Sequence, residues 1–261
     1  MREALKRGLA MIPSGVASGA TLLIYHRVGG GSRDELDVDV DRFRGQLDAL
    51  ADHHVVSLDD AVAGVHDGVS APRVVLTFDD GFGDVHEHAW PLLRERRLPF
   101  TIYLTTGYVG GRMQWEGSTA REQGAPALTW EQLREMVGSG LCTIGNHTHT
   151  HVPPDLLSTA ELDRCTELVD QELGVVPRHF AYTWGIPVPR LEQELAARFA
   201  SCATGELGRN LQGVDPMRLA RVPVRRTDPL PFFRAKLRGD LLPERLYGGV
   251  VAAAKGVGMR G

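Results

Sequence analysis

Two places in the chain crowd acidic and imidazole side chains in patterns that suit a cation. The run VVLTFDDG (residues 74–81) is an apolar strand pattern that ends in Asp79, Asp80 and a glycine. An Asp-Gly pair alone reads as a turn. Two adjacent like charges at the mouth of an apolar strand are costly, however, unless a cation or a shared proton relieves them. A metal is the simplest relief. The second place is NHTHTHVPP (146–154), directly after the strand pattern LCTIG (141–145). His147 and His151 are four apart, which puts both on one face of a helical turn. An extended segment would instead bring His147, His149 and His151 to one side. Pro153 and Pro154 stop any long helix here. Catalytic zinc sites take three protein ligands and leave a fourth position to water. One carboxylate with two histidines fits that pattern, and the spare carboxylate can serve as a base.

His26 also follows a strand pattern, LLIY, and opens a long loop, so it could reach the same mouth. The alternative is a histidine satisfied by a local backbone group. His53, His54, His66, His86, His88 and His179 lie in helical or linker contexts and are given no site role. Asp84 reads as a helix N-cap. Arg209 and Asn210, in TGELGRN, are candidates to line the mouth.

The elements that must position these residues alternate along the chain. Candidate strands are 21–25, 73–78, 100–104, 141–144, 179–182, 201–203 and 219–224, most of them rich in Val, Ile, Leu, Thr or aromatics. Helical stripes lie between them: Phe43, Leu47 and Leu50; Val85, Ala89, Leu92 and Leu93; Leu162, Cys165, Val169 and Leu173. Thr129 with Gln132, and Ser158 with Glu161, read as capping boxes. About seven strands alternating with helices predict an α/β fold, a distorted or incomplete (β/α) barrel with parallel strands. In such barrels the active site is built at the C-terminal strand ends, where both clusters and His26 fall. Residues 27–39 and 107–128 read as long loops of the functional kind.

The expected organisation is a lead-in at 1–20, one catalytic domain at 21–240 and a tail at 241–261, frayed from Glu244 onward. With 261 residues, 43% hydrophobic and 24% charged, the chain has material for a sizeable core. A net charge of −4 argues against binding driven by nucleic-acid phosphates. Three cysteines in no C-x-x-C pair fit small buried thiols rather than a disulfide framework. Arg2, Lys6 and Arg7 resemble a signal-peptide n-region, but the apolar run Leu9–Ile12 is short and Pro13, Ser14 and Gly15 break it. No stretch suffices for a spanning helix. The expected location is cytoplasmic or peripheral to a membrane.

TFDDG (77–81) with HTHTH (147–151) resembles the first two motifs of the polysaccharide deacetylases, carbohydrate esterase family 4. Either motif alone would be weak, whereas the pair is specific. The resemblance spans roughly residues 21–238 and includes LLIYHRV (22–28), VVSLDDA (55–61), FTIYLTTGYVG (100–110), TWEQLREM (129–136), RHFAYTWG (178–185) and RLARVPVRR (218–226). Its order looks like the branch that includes bacterial poly-N-acetylglucosamine deacetylases.

The resemblance implies a hydrolase that removes N-acetyl groups from an amino sugar or glycan and uses one divalent metal, zinc first and cobalt or nickel as alternatives. It implies Asp80, His147 and His151 as ligands, Asp79 as base, His26 as acid and Thr148 as the hydroxyl that steadies the loop. It further implies a backbone N–H near Tyr108 for the oxyanion. Tyr182 and Trp184, in FAYTWG, are substrate-binding candidates beside Arg209. Trp184 and Trp115 could each stack on a sugar ring or pack under a loop. Thr183 stands where the family usually has Pro, and Asn146 where Ser is common; neither removes a ligand. Two other readings are a deacylase or deformylase acting on a lipid-linked or small-molecule sugar amide, and a non-catalytic sugar-binding relative.

Overall fold

A computed structural model describes residues 1–12, 18–66, 71–115, 117–118 and 124–258. Helix α1 (Arg2–Leu9) precedes strand β1 (Ala20–Tyr25), and a two-residue parallel ladder joins β2 (Arg27–Val28) to β3 (Asp37–Val38). Helices α2 (Val40–Ala49) and α3 (Leu58–His66) lead to β4 (Arg73–Asp80). There follow α4 (Trp90–Glu95), β5 (Phe100–Leu104), α5 (Trp130–Gly138), β6 (Cys142–Asn146), α6 (Thr159–Leu173) and β7 (His179–Ala181). The chain finishes with α7 (Glu192–Arg198), β8 (Ser201–Leu207), β9 (Leu219–Pro223), α8 (Leu230–Leu237) and α9 (Leu242–Gly258).

The seven expected strands are the seven barrel strands. They run parallel in the order β1-β4-β5-β6-β7-β8-β9, and β9 pairs back onto β1, so the barrel is closed. Its distortion sits on one side. There β6 and β7 share a single register pair, Asn146 with Phe180, and the β8–β9 register shifts between Ala203 and Leu207.

Strand alternation sorts the core into two layers. In β4, Val74, Leu76 and Phe78 face the helices, where they join Phe43 and Leu47 of α2 and Leu133 and Met136 of α5. Val75 faces the barrel interior with Leu22, Tyr103, Ala181 and Ala203. The Phe78 ring stacks on Tyr25 at 5.2 Å and meets Phe100 edge-on at 5.9 Å. All three cysteines are free and buried.

Local signals and structure agree at α5, where both halves of the Thr129–Gln132 capping box form. They differ at α6. Ser158 makes no side-chain cap, and the Glu161 carboxylate, the other half of the box, accepts instead from the Thr150 N–H and hydroxyl at 2.7 and 3.0 Å. Asp84 is likewise no side-chain cap for the π-helical turn Val85–Ala89.

The tail expected to fray from Glu244 is helical in α9, with Glu244 and Tyr247 buried. Buried charge explains this. Lys6 of α1 donates to Asp228 at 2.7 Å, Lys236 reaches Asp228 at 2.6 Å and Glu244 at 2.9 Å, and the Lys6 ammonium lies 4.3 Å from the Tyr247 ring. The two terminal helices share this cluster, and removing one partner from a buried pair costs about 3–5 kcal/mol. Pro13, Ser14 and Gly15, and the last three residues, lie outside the described residues. Among the described residues no helix is long and apolar enough to cross a membrane.

Candidate metal centre and active site

Strict alternation along β4 would send Asp79 inward with Val75 and turn Asp80 out toward the helices. The backbone prevents this. Asp80 has φ +76° and Gly81 φ +95°, and the left-handed turn swings the Asp80 carboxylate back over the mouth. A Cβ on Gly81 would also lie 2.6 Å from the Leu104 side chain, so glycine is required.

The histidine segment uses the same device. Thr148 has φ +71° and His151 φ +55°. His147 and His151 therefore converge through an irregular turn, not the helical turn that their spacing suggested. Local hydrogen bonds hold it. The Asn146 amide donates to Leu162 O at 2.8 Å and its carbonyl accepts from Thr148 N at 2.9 Å. The Thr148 hydroxyl accepts from His151 N at 2.9 Å, as the loop-steadying role requires. Of the five non-glycine residues with positive φ among those described, four (Asp80, Thr148, His151 and Trp184) are at this mouth. Such strain costs about 1–3 kcal/mol each and collects at functional sites.

The result is a compact donor set. Asp80 Oδ1 lies 3.3 Å from His147 Nε2 and 3.4 Å from His151 Nε2. One ligand atom from each residue falls within 4.8 Å of the others. Asp80 Oδ1 is buried with no hydrogen-bond partner among the described residues. His147 Nδ1 is 2.8 Å from Ala181 O. A carbonyl only accepts, so Nδ1 carries the proton and Nε2 presents its lone pair, the usual second-sphere support of a metal-binding histidine. Two imidazole nitrogens and one carboxylate oxygen suit a zinc-like divalent ion. Burial works against an ionised Asp80, but with no ion bound the two histidines, once protonated at Nε2 as well, outweigh it and hold its carboxyl far below the usual range.

His149 points elsewhere. Its Nδ1 meets the Thr106 hydroxyl at 3.0 Å, and its carbonyl accepts from Gly107 N at 2.7 Å. Aromatic rings close over His151: Trp115 stacks on it and Trp184 tilts against it, each at 4.4 Å. Trp115 is buried and packs on Phe82 and Tyr108, which favours the packing reading. Trp184 is 44% exposed, so a face remains for a ligand.

Asp79, His26, Tyr182 and Trp184 line one cavity of about 260 Å³ with the three donor residues. His26 Nδ1 and the Tyr182 hydroxyl have no partner among the described residues. Asp79 is paired: Arg221 Nη1 donates to its Oδ1 at 2.7 Å, while Arg221 Nε donates to Thr204 O at 2.9 Å. Burial alone would raise the Asp79 carboxyl, but Arg221, His147 and His26 overcome it and hold it below its ordinary range. Arg221 belongs to the RLARVPVRR segment, with no site role evident from its neighbours. The available signal was a charged residue at the centre of an otherwise apolar strand, LARVP.

Two candidates fall elsewhere. Arg209 is not at the mouth: its guanidinium donates to Gly19 O at 3.1 Å, beside the N-terminal end of β1. Asn210 bridges Ala20 and Ala220 there. The loop after β8 folds back along the barrel, which its polar composition could not reveal. Asp84 gains a role instead. Its carboxylate accepts from Arg27 Nε at 2.8 Å and Val28 N at 3.2 Å, tying the segment after His26 to the turn that carries Asp79 and Asp80.

The sequence profile described as polysaccharide deacetylase matches residues 66–197, half of the chain. IcaB from Ammonifex degensii is 31% identical, with a TM-score of 0.74 over 85% of this chain and 97% of that one. The chain belongs to the polysaccharide deacetylase family. The Bacillus subtilis (strain 168) family protein YxkH is 27% identical over 135 residues, which span only 43% of its length. Deacetylase PplD of Streptococcus pyogenes, solved with acetate, shares the fold at 20% identity, with a TM-score of 0.69 over 86% of this chain and 99% of that one. Within this polysaccharide deacetylase the profile spans Asp79, Asp80, His147 and His151, while His26 and Arg221 lie before and after it.

Proposed function

We propose that this polysaccharide deacetylase removes the N-acetyl group from an amino-sugar unit of a glycan by metal-assisted hydrolysis, releasing acetate. The observation that carries the reading is the convergence of Asp80, His147 and His151 beside Asp79, which is paired with Arg221, and an unpartnered His26 Nδ1 in one cavity. A divalent ion held by Asp80 Oδ1 and the two Nε2 atoms would supply positive charge that polarises an amide carbonyl and acidifies water.

The chain's own groups carry the protons. Asp79, kept ionised by Arg221, accepts a proton as the water oxygen bonds to the acyl carbon. The Tyr108 N–H, held only by a 3.5 Å contact to Thr105 O, is the backbone donor proposed for the developing oxyanion. His26 delivers a proton to the nitrogen as the C–N bond breaks, so the amine leaves neutral. The sugar would pack on Tyr182 and the exposed face of Trp184. Acetate release from N-acetylglucosamine oligomers tests the reading, with and without a chelator and after zinc is restored. The expected result is release abolished by chelator and recovered with zinc. Undiminished release in chelator, or none with zinc, refutes it.

A further inference from the structure

A second concavity adjoins the catalytic cavity. It is a groove of about 730 Å³ lined by Tyr108, Val152, Pro153, Pro154 and Ile186, and it shares Trp115, His151 and Trp184 with the cavity. His26, Asp79 and Arg221 line the cavity and do not reach the groove. The two spaces therefore meet across the His151 ring, and the acid–base residues all lie on one side.

The chemistry of an amide gives that asymmetry a meaning. Its nitrogen and its acyl chain leave the trigonal carbonyl carbon about 120° apart, so they cannot enter the same space. With the nitrogen turned toward His26, the chain runs away from His26, past His151 and into the groove. The lining suits such a chain. Among the described residues it is lined by no carboxylate, carboxamide, lysine or arginine, and the Tyr108 hydroxyl already donates toward Thr150 O at 3.4 Å. A sugar ring there would find few hydroxyl partners beyond Thr150 and Tyr108, whereas methylenes gain from contact with Val152, Pro153, Pro154 and Ile186. Trp184 marks the junction. It is 44% exposed, and it is held at φ +54° although a bulky residue strongly resists that conformation.

We propose that this groove binds the acyl chain, so the protein hydrolyses N-acyl groups longer than acetyl from amino sugars. The proposal rests on the deacetylase reading and extends it. The step is the same: the water oxygen bonds to the acyl carbon, the C–N bond breaks, the nitrogen takes a proton and a fatty carboxylate leaves.

The test compares glucosamine oligomers that carry N-acetyl, N-butyryl or N-hexanoyl groups, with the zinc-supplemented full chain. KM should fall about two- to fourfold per added methylene. Ile186→Trp, which fills the groove from an exposed position, should lower the hexanoyl-to-acetyl ratio of kcat/KM at least tenfold. A measurement on the unmutated protein needs no variant: hexanoate should quench tryptophan fluorescence at concentrations at least tenfold below those needed with acetate. Cleavage of acetyl but not of longer chains, or equal affinity for the two carboxylates, overturns the groove assignment and leaves the deacetylase reading standing. A gain from lengthening the glycan or adding an alkyl aglycone, without one from lengthening the acyl group, also overturns it. Failure to cleave any of the three amides overturns both.

Discussion

Replacing Arg221 with methionine would expose how strongly the barrel holds its proposed base. The Arg221–Asp79 pair is 2.7 Å long, and both side chains are at most 5% exposed. Methionine keeps much of the volume beside Tyr103, whose ring lies 5.4 Å from the guanidinium, but it removes the charge. Asp79 then keeps a buried carboxylate without its paired guanidinium, which costs about 3–5 kcal/mol. Thr204 O loses its Nε donor, worth about 1 kcal/mol. Asp79→Asn leaves Arg221 buried and unpaired, at a similar cost. The double variant Arg221→Met/Asp79→Asn removes both charges, so its loss should fall short of the sum of the singles by about 2 kcal/mol or more. Urea unfolding of the chelator-treated protein at neutral pH measures all three. A metal-free sample is needed because an ion bound to the native state would add its own stabilisation. Losses that add within about 0.5 kcal/mol would refute the claim that Arg221 and Asp79 act as a buried pair.

Elemental analysis should find one equivalent of divalent metal after reconstitution, lost in His147→Ala and in His151→Ala. His149→Ala should keep it, because that ring faces Thr106; a loss comparable to that of His147→Ala would contradict the geometry. Asp79→Asn and His26→Ala should retain metal yet lose about 10²- to 10⁴-fold in kcat on an N-acetylglucosamine oligomer. A metal-replete His26→Ala protein with unchanged turnover would remove His26 from the mechanism. Thr129→Ala should lower stability by about 1 kcal/mol through loss of the α5 cap, with metal content unchanged, as read by urea unfolding.

Much of the architecture was legible because local pattern and tertiary demand coincide in it. All seven strands follow from apolar runs that must be buried on both faces, and their parallel arrangement follows from their alternation with helices, while closure of the barrel, through β9 onto β1, is seen only in the structure. The Thr129–Gln132 box could be read because its partners are three residues apart. The Ser158–Glu161 box has the same spacing but does not form: Ser158 makes no side-chain cap and Glu161 binds Thr150. Asp84 failed as a cap for a similar reason: Arg27, 57 positions away, competes for its carboxylate.

The sequence by itself determined which side chains could bind a metal and that they stand at strand ends. Residue type and strand pattern are local properties, and Asp79, Asp80, His147, His151 and His26 could be chosen on them. Only the tertiary structure decided how those groups face one another. Alternation alone would part Asp80 from Asp79, and helical spacing misdescribes His147 to His151. The convergence depends on left-handed turns at Asp80, Thr148 and His151, whose strain is tolerated because packing and buried hydrogen bonds around them leave no relaxed alternative. The tertiary structure also decided that Arg221, 142 positions along the chain, neutralises Asp79, and that Arg209 belongs to the other end of the barrel. Partners so far apart leave no periodic trace in a sequence; barrel closure alone sets their distance.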